Sequence, residues 1–167
     1  MKERRSAVLL SVGVLTTYIF SVLAINFISP DEVIPPEEFP EMCPENSSNC
    51  SMIGPNSHRS GGQTELRFNT SIDHVMFAAA SWAESEPRTD SIGEWPGQHH
   101  YVFRSMIFRF PDDFLIKVFC DEGDSVVHVF SESRLGISDM GVNEERVIRF
   151  AEHMSVVEMP TSECIGE

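Results

Sequence analysis

The residues whose types and spacing could do chemistry are concentrated in residues 131–146, which we call the signature segment. This segment leaves an apolar run, passes two glycines and enters a helical pattern. Its backbone N–H groups and arginines could hold a carboxylate or a phosphate at a helix N-terminus. They could equally form a polar clasp that fixes the last strand to the last helix. The candidate residues are Ser131, Ser133, Arg134, Gly136, Ser138, Asp139, Gly141, Asn143 and Arg146.

The clasp is the favoured interpretation, because acidic residues already occupy the first turn of the predicted helix. Asn143 is a good N-cap residue, and Glu144 and Glu145 after it would compete with a bound anion. Gly136 and Gly141 allow a positive φ angle or a close backbone approach. The sequence therefore predicts a structural segment, with a small-anion site as the alternative.

Carboxylates and histidines elsewhere are weaker candidates. Asp112 and Asp113 could act as a pair of carboxylates in acid–base catalysis, but adjacent residues of a strand point to opposite faces. A turn whose carboxylates pair with arginine explains these two residues more simply. His99 and His100 have no third metal ligand at a recognisable spacing, and we expect them to be surface residues. The serines lie in no G-x-S-x-G elbow, and neither a phosphate-binding loop nor a dinucleotide fingerprint occurs. The sequence therefore predicts no catalytic residue, no metal site and no cofactor.

The signature segment and two shorter motifs resemble one known family. The run SESRLGISDMGVNEERV is similar to the S-x-SR-x-G-x-SD-x-G-x-N-x-x-R-V signature of the family named domain of unknown function 1499. Upstream, FRFPDD resembles the family's F-x-F-x-DD strand end, and CPENSSNC resembles its CP-x-PNC opening, with Ser48 in place of the proline. The resemblance covers residues 43–154. It implies export or membrane anchoring, as in many members, and it implies no particular activity.

A membrane-spanning helix is predicted near the N-terminus. Residues 7–28 carry no charge, and a helix of this length spans a hydrocarbon core of about 30 Å. Basic residues precede this run and acidic residues follow it, so we expect residues 1–6 to form a cytoplasmic tip and the rest of the chain to lie outside. The alternative is a signal peptide that is cleaved near Ala24, after which the domain is secreted.

The chain after this helix divides into three parts. Residues 29–42 are acidic and proline-rich, which predicts an extended spacer. Residues 43–158 are predicted to form the folded domain that resembles the family. Residues 159–167 are predicted to be a tail.

The cysteines are interpreted from their position outside the membrane. In an oxidising compartment Cys43 and Cys50 are expected to form a disulfide, with two free thiols as the alternative. Cys120 shares a face with apolar residues of a predicted strand, so we expect it to stay reduced in the core.

Hydrophobic periodicity predicts an α+β fold. The spacing of apolar residues predicts helices over 71–84 and 144–154. Val, Ile, Phe and Tyr are frequent in the predicted strands 88–93, 99–110, 113–120 and 125–133. Short turns make neighbouring strands antiparallel. We therefore predict a two-layer α+β domain, with an antiparallel sheet of three or four strands and both helices on one face, after the N-terminal transmembrane helix.

Composition and motifs together predict only a broad class of function. The net charge of −14 disfavours a nucleic-acid partner. We expect an extracytoplasmic module, anchored in the membrane through residues 7–28, that binds an unidentified protein or small ligand or has a structural role in the envelope. The alternative is a small-anion-binding protein or a hydrolase-like enzyme that would use Asp113, Arg134 and Asp139. An open cleft around these groups favours the enzyme, whereas mutual burial favours the module.

Overall fold

The structure is a computed structural model that describes residues 2–136 and 138–165, with side chains from residue 5 onwards. An N-terminal helix is followed by two short strands, a helix, four longer strands and a last helix. The elements are α1 (Lys2–Ile28), β1 (Cys50–Ile53), β2 (Leu66–Phe68), α2 (Ile72–Ser85), β3 (Thr89–Trp95), β4 (Gln98–Arg104), β5 (Pro111–Asp121), β6 (Asp124–Ser133) and α3 (Val142–Val156). The fold class is therefore α+β.

One antiparallel sheet contains all six of these strands, so the expectation of three or four strands is wrong. Its order is β1-β6-β5-β4-β3, and β2 pairs with β6 beside β1. The extra strands β1 and β2 have only 4 and 3 residues. Such short segments show no usable periodicity, and both pair with β6, while Met52 of β1 also exchanges two backbone hydrogen bonds with His58.

The predicted elements differ from the observed ones mainly where strands end. The strand predicted over 99–110 stops at Arg104, and residues 105–110 form a turn that is closed by a hydrogen bond from Ser105 N to the Phe110 carbonyl. Asp112 and Asp113 lie within β5 and not in a turn. The expected turn at these residues is therefore wrong, because β4 and β6 extend far enough to pair with both of them.

The hydrophobic core lies between the sheet and the two helices α2 and α3, which cover the same face. Trp82 of α2 contacts Phe114 of β5 and Phe150 of α3, with ring centroids 5.6 and 5.1 Å apart. Phe114 and Phe150 are fully buried. This packing fixes α3 across β6 and β1, which places the signature segment between strand and helix.

A smaller apolar cluster covers the opposite face of the sheet. Leu115 and Phe130 are buried there beside the Cys43–Cys50 bridge, and Ile34 and Phe39 of the predicted spacer pack against them. The Ile34 N–H also donates to His100 Nδ1 at 3.1 Å. Part of the segment 29–42 therefore contacts the sheet. Its function as a spacer stays a prediction.

Two disulfides are present among the described residues. Cys43 and Cys50 are bonded with an S–S distance of 2.02 Å, and Cys120 and Cys164 with a distance of 1.96 Å. The expectation that Cys120 stays reduced is therefore wrong. Cys120 lies at the end of β5, where the returning C-terminal segment is held by a hydrogen bond from Cys164 N to the Gly123 carbonyl at 2.8 Å. The sequence of this segment showed no pattern that predicts its return to the sheet.

Helix α1 is long and apolar enough from Arg5 to Ile28 to be a membrane anchor or a signal sequence. Few of its residues are buried. Its hydroxyl side chains hydrogen-bond to carbonyls of the preceding turn, for example Thr16 Oγ1 to the Val12 carbonyl at 2.8 Å. The polar groups of these serines and threonines are therefore satisfied within the helix, as an apolar environment requires.

Candidate functional site

Five polar side chains of the candidate set meet on the helix-covered face of the sheet, and we call them the inner cluster. Ser131 and Ser133 lie two residues apart on β6 and therefore share a face. Asp112 of β5 is in register with Ser133. Asn143 and Arg146 lie three positions apart on α3, so they share one side of that helix. All five are buried.

The guanidinium of Arg146 lies at the centre of the inner cluster. It donates to Asp112 Oδ2 at 2.8 Å, to Ser131 Oγ at 3.0 Å and also to Asn143 Oδ1. Its Cζ lies 4.4 Å from the centre of the Phe103 ring, a cation–π contact. Burial lowers the pKa of Arg146, and the neighbouring Asp112 carboxylate opposes that effect. Arg146 thus ties α3 to β5 and β6.

The remaining polar groups of the inner cluster satisfy one another. The Ser133 hydroxyl donates to Asp112 Oδ1 at 2.5 Å, and the Ser131 hydroxyl donates to Asn143 Oδ1 at 2.6 Å. The Asn143 amide donates to Ser133 Oγ at 2.9 Å and to the Asn49 carbonyl at 3.0 Å. Each hydroxyl therefore donates once and accepts once, and both Asp112 oxygens accept. Every side-chain oxygen of the inner cluster therefore has a hydrogen-bond partner within it.

Asn49 also belongs to this hydrogen-bond network, although the sequence analysis did not include it among the candidate residues. Its side-chain amide donates to the Ser133 carbonyl at 3.0 Å and to the Gly136 carbonyl at 3.2 Å. The Ser133 N–H donates to the Asn49 carbonyl at 3.0 Å. The signal was present, because Asn49 belongs to the CPENSSNC motif beside Cys50. The CPENSSNC motif thus places the Asn49 side chain beside the signature segment, where it binds the carbonyls of Ser133 and Gly136.

Gly141 is the N-cap residue of α3, so the expectation that Asn143 is the N-cap is wrong, and the Asp139 side chain accepts hydrogen bonds from the start of the helix. The carboxylate of Asp139 accepts from Gly141 N at 2.9 Å and from Asn143 N at 2.7 Å. Gly141 has a φ of 87°, in the left-handed region that favours glycine. Burial would raise the pKa of Asp139, but the backbone N–H groups of Asn143 and Gly141 outweigh burial and lower it. Asp139 is therefore an ionised structural cap.

Two further candidates of the loop have local roles. Gly136 has a φ of 101°, in the left-handed region that favours glycine. Ser138 forms a parallel bridge with Ser48, and its hydroxyl accepts from Met140 N at 3.4 Å. Both residues shape the path from β6 to α3.

The opposite face of the sheet carries a second set of charged residues, the outer cluster of His100, Asp113, Arg134, Asp31 and Arg104. Arg134 makes a bidentate contact with Asp113, with Nε 2.8 Å from Oδ2 and Nη2 2.6 Å from Oδ1. Its third nitrogen donates to Asp31 Oδ1 at 2.8 Å. Arg104 also donates to Asp31, at 2.8 and 2.9 Å. Asp112 and Asp113 thus lie on opposite faces and pair with different arginines.

His100 is buried and hydrogen-bonded at both ring nitrogens, so the expectation that it is a surface residue is wrong. Its Nε2 lies 2.7 Å from Asp113 Oδ1, and its Nδ1 accepts from the Ile34 N–H. Burial would raise the pKa of Asp113, but the hydrogen bonds from His100 and Arg134 outweigh burial and lower it. The buried ring of His100 is not open to a substrate.

A cleft of about 410 Å³ adjoins the outer cluster. Arg134 lines it together with the carboxylates of Glu32, Asp113 and Glu132. Burial raises the pKa of Glu132, and the nearby Asp113 raises it further. Because three acids surround one arginine that is already paired, this cleft repels an anion. Among the described residues no group of three or more His, Cys, Asp or Glu side chains is arranged to hold a metal ion.

Comparison with known proteins assigns a family but no activity. No curated protein matches the chain. The family model described as "Protein of unknown function (DUF1499)" matches residues 41–154, which include the whole inner cluster, Asn49 and the Cys43–Cys50 bridge. The match covers well over half of the chain, and it begins after Asp31 and Ile34 and ends before Cys164. The chain therefore belongs to the DUF1499 family of proteins of unknown function.

Proposed function

We propose that this protein is a membrane-anchored extracytoplasmic module, and that its signature segment has a structural role rather than a catalytic one. The observation that carries the proposal is the closed hydrogen-bond network of the inner cluster. Buried polar groups are expensive unless they are paired, and here Asp112, Asn143 and Arg146 are paired with one another and with two serines. Such a network holds β5 and β6 to α3.

The alternative of a hydrolase-like enzyme is disfavoured because its three residues do not converge. Asp113 and Arg134 bond to each other on the outer face of the sheet. Asp139 is occupied by the backbone of α3, and its side chain is only 2% exposed. A catalytic carboxylate must reach the reacting atoms, and Asp139 is engaged by its own backbone instead. We propose no catalytic residue and no cofactor.

The alternative of a small-anion-binding protein is also disfavoured. Arg134 is the basic side chain of the outer cleft, and it already bonds to two carboxylates, Asp113 and Asp31. An incoming anion would have to displace one of them while Glu32 and Glu132 repel it. The overall charge of −14 disfavours nucleic acid for the same reason. We propose a protein or a small ligand of unidentified chemistry as the partner, besides the membrane.

The proposed topology places residues 1–6 in the cytoplasm, residues 7–28 in the membrane and the domain outside the cell. Support comes from the basic residues before α1 and the acidic residues after it. A second argument is that the described part of the chain contains no free cysteine, which is typical of an oxidising compartment. The alternative is cleavage near Ala24 followed by secretion, and a protease experiment together with the intact mass distinguishes the two.

Protease added to intact cells or spheroplasts is expected to remove a C-terminal tag from the full chain, because the domain lies outside. The intact mass of the membrane fraction is expected to include residues 7–28. A tag on the cytoplasmic N-terminus is the matched control and should be protected until lysis. Protection of the C-terminal tag would contradict the topology. A soluble protein that begins after Ala24 would show that the apolar helix is a cleaved signal peptide and not an anchor.

Replacing Arg134 by alanine is expected to lower the free energy of unfolding by about 2–3 kcal/mol, because the Asp113 carboxylate loses its bidentate partner while it is only 13% exposed. Arg67→Ala is the matched control. Arg67 pairs with Asp121 and Glu65 at the surface, where solvent screens the charges, so its loss should leave stability nearly unchanged. Denaturant unfolding of the full chain in detergent measures both variants. Unchanged or increased stability of Arg134→Ala would favour a ligand site over a structural one.

A further inference from the structure

An exposed apolar turn lies beside helix α1 and has no role in the core. Residues 105–110 connect β4 to β5, and four of their apolar side chains are exposed: Met106 at 72%, Ile107 at 55%, Phe108 at 45% and Phe110 at 41%. Apolar side chains clustered at a tip in this way indicate a contact surface. Arg104 at the base of the turn bonds to Asp31, just after the end of α1.

The turn is held against α1 by a specific contact. The Tyr18 hydroxyl donates to the Ile107 carbonyl at 3.0 Å. Ile107 and Phe108 line a largely apolar groove of about 630 Å³ together with residues of α1 between Leu9 and Ser21. The same groove therefore contains side chains of the apolar helix and side chains of the folded domain.

We propose that residues 105–110 insert among the lipid acyl chains next to α1, so that the domain contacts the bilayer at two places. This inference rests on the proposed function, in which α1 spans the membrane. Tyr18 lies ten residues before the end of α1, about 15 Å along the helix axis, which is well within a hydrocarbon core of about 30 Å. A turn bonded to Tyr18 is therefore at the depth of the acyl chains.

Several backbone groups of the turn are already paired within the protein. The Ile107 carbonyl is satisfied by Tyr18, the Ser105 N–H by the Phe110 carbonyl, and the Phe110 N–H by Ser105 Oγ at 2.9 Å. Non-helical backbone in a membrane is tolerated where the protein itself pairs such groups. Lipid is the occupant we propose for the groove, because α1 itself must be surrounded by lipid.

Photocrosslinking of the full chain in phospholipid nanodiscs tests the proposal. The substitution Phe108→p-benzoylphenylalanine keeps an aromatic side chain in the turn. Phe77→p-benzoylphenylalanine is the matched control, since Phe77 is also an exposed phenylalanine but lies on α2. Phe20→p-benzoylphenylalanine, in the middle of α1, reports on the helix itself. Phospholipid adducts are measured by mass spectrometry, and Met106→p-benzoylphenylalanine repeats the test in case the first variant misfolds.

The expected result is lipid adducts at Phe108 and Phe20, with a yield several-fold above that at Phe77. Adducts at Phe20 without adducts at Phe108 and Met106 would overturn the insertion of the turn and leave the membrane anchor intact. The lack of adducts at Phe20 would instead overturn the anchor. A crosslink from Phe108 to a second copy of the chain, in place of lipid, would overturn the inference, as would equal yields at Phe108 and Phe77.

Discussion

Replacing Arg146 by methionine is expected to lower the free energy of unfolding by about 3–5 kcal/mol, the range observed when one partner of a buried ion pair is removed. Methionine keeps the apolar stem but leaves the Asp112 carboxylate buried without its positive charge. The hydrogen bonds to Ser131 and Asn143 are lost at the same time. A loss of this size is a large fraction of the stability of a typical domain, about 5–15 kcal/mol.

Denaturant unfolding of the full chain in detergent, followed by tryptophan fluorescence, measures this effect, because Trp82 lies in the core against Phe114 and Phe150. Arg149→Met is the matched control on the same helix. Arg149 is 44% exposed and pairs with Glu86, so its replacement is expected to cost about 1 kcal/mol or less. Equal stability of the Arg146 and Arg149 variants would contradict the structural role of Arg146.

Removing the Cys120–Cys164 disulfide is expected to lower the free energy of unfolding by about 4 kcal/mol. A bond between residues that are 44 positions apart restricts the unfolded chain strongly, and the restriction grows with the length of the closed loop. The double substitution Cys120→Ala, Cys164→Ala removes the bond without leaving a free thiol. The C-terminal segment then has no covalent link to the sheet and is held by hydrogen bonds, such as that from Thr70 Oγ1 to the Pro160 carbonyl at 2.6 Å, and by the packing of Val157 and Met159 against the core.

The matched control is the double substitution Cys43→Ala, Cys50→Ala. Its bond spans only 7 positions, so the expected loss is smaller, about 2.5 kcal/mol. Mass mapping of the unreduced parent protein is expected to show two linked peptide pairs, 43 with 50 and 120 with 164. Alkylation of Cys120 in the unreduced native protein would contradict the second bond, and so would a smaller stability loss for the long loop than for the short one.

The longer helices and strands were predictable from the sequence. The four strands from β3 to β6 and the helices α2 and α3 each contain enough periodic apolar residues to be recognised. Strands β1 and β2 were not predictable, because each owes its structure to pairing with β6 and not to its own three or four residues. Tertiary pairing decides the conformation of such short segments.

The candidate site was predictable in composition but not in arrangement. Asp112, Asp113 and the signature residues do form polar networks, and the alternation of a strand correctly separates the two acids. The partners of the two acids depend on where α3 and the segment before residue 41 lie against the sheet. The spacing of residues along the chain does not predict these positions. His100 shows the limit most clearly, because both of its hydrogen-bond partners, Asp113 and Ile34, are distant in sequence.

The claim that the inner cluster clasps β5 to α3 is tested most directly by a double-mutant cycle between Asp112 and Arg146. The free energies of unfolding of Asp112→Asn, Arg146→Met and the double variant are compared with that of the parent. Because the two side chains are buried and 2.8 Å apart, a coupling of about 2–3 kcal/mol is expected, so that the double variant is less destabilised than the sum of the single variants. Additivity within about 0.5 kcal/mol would contradict the clasp.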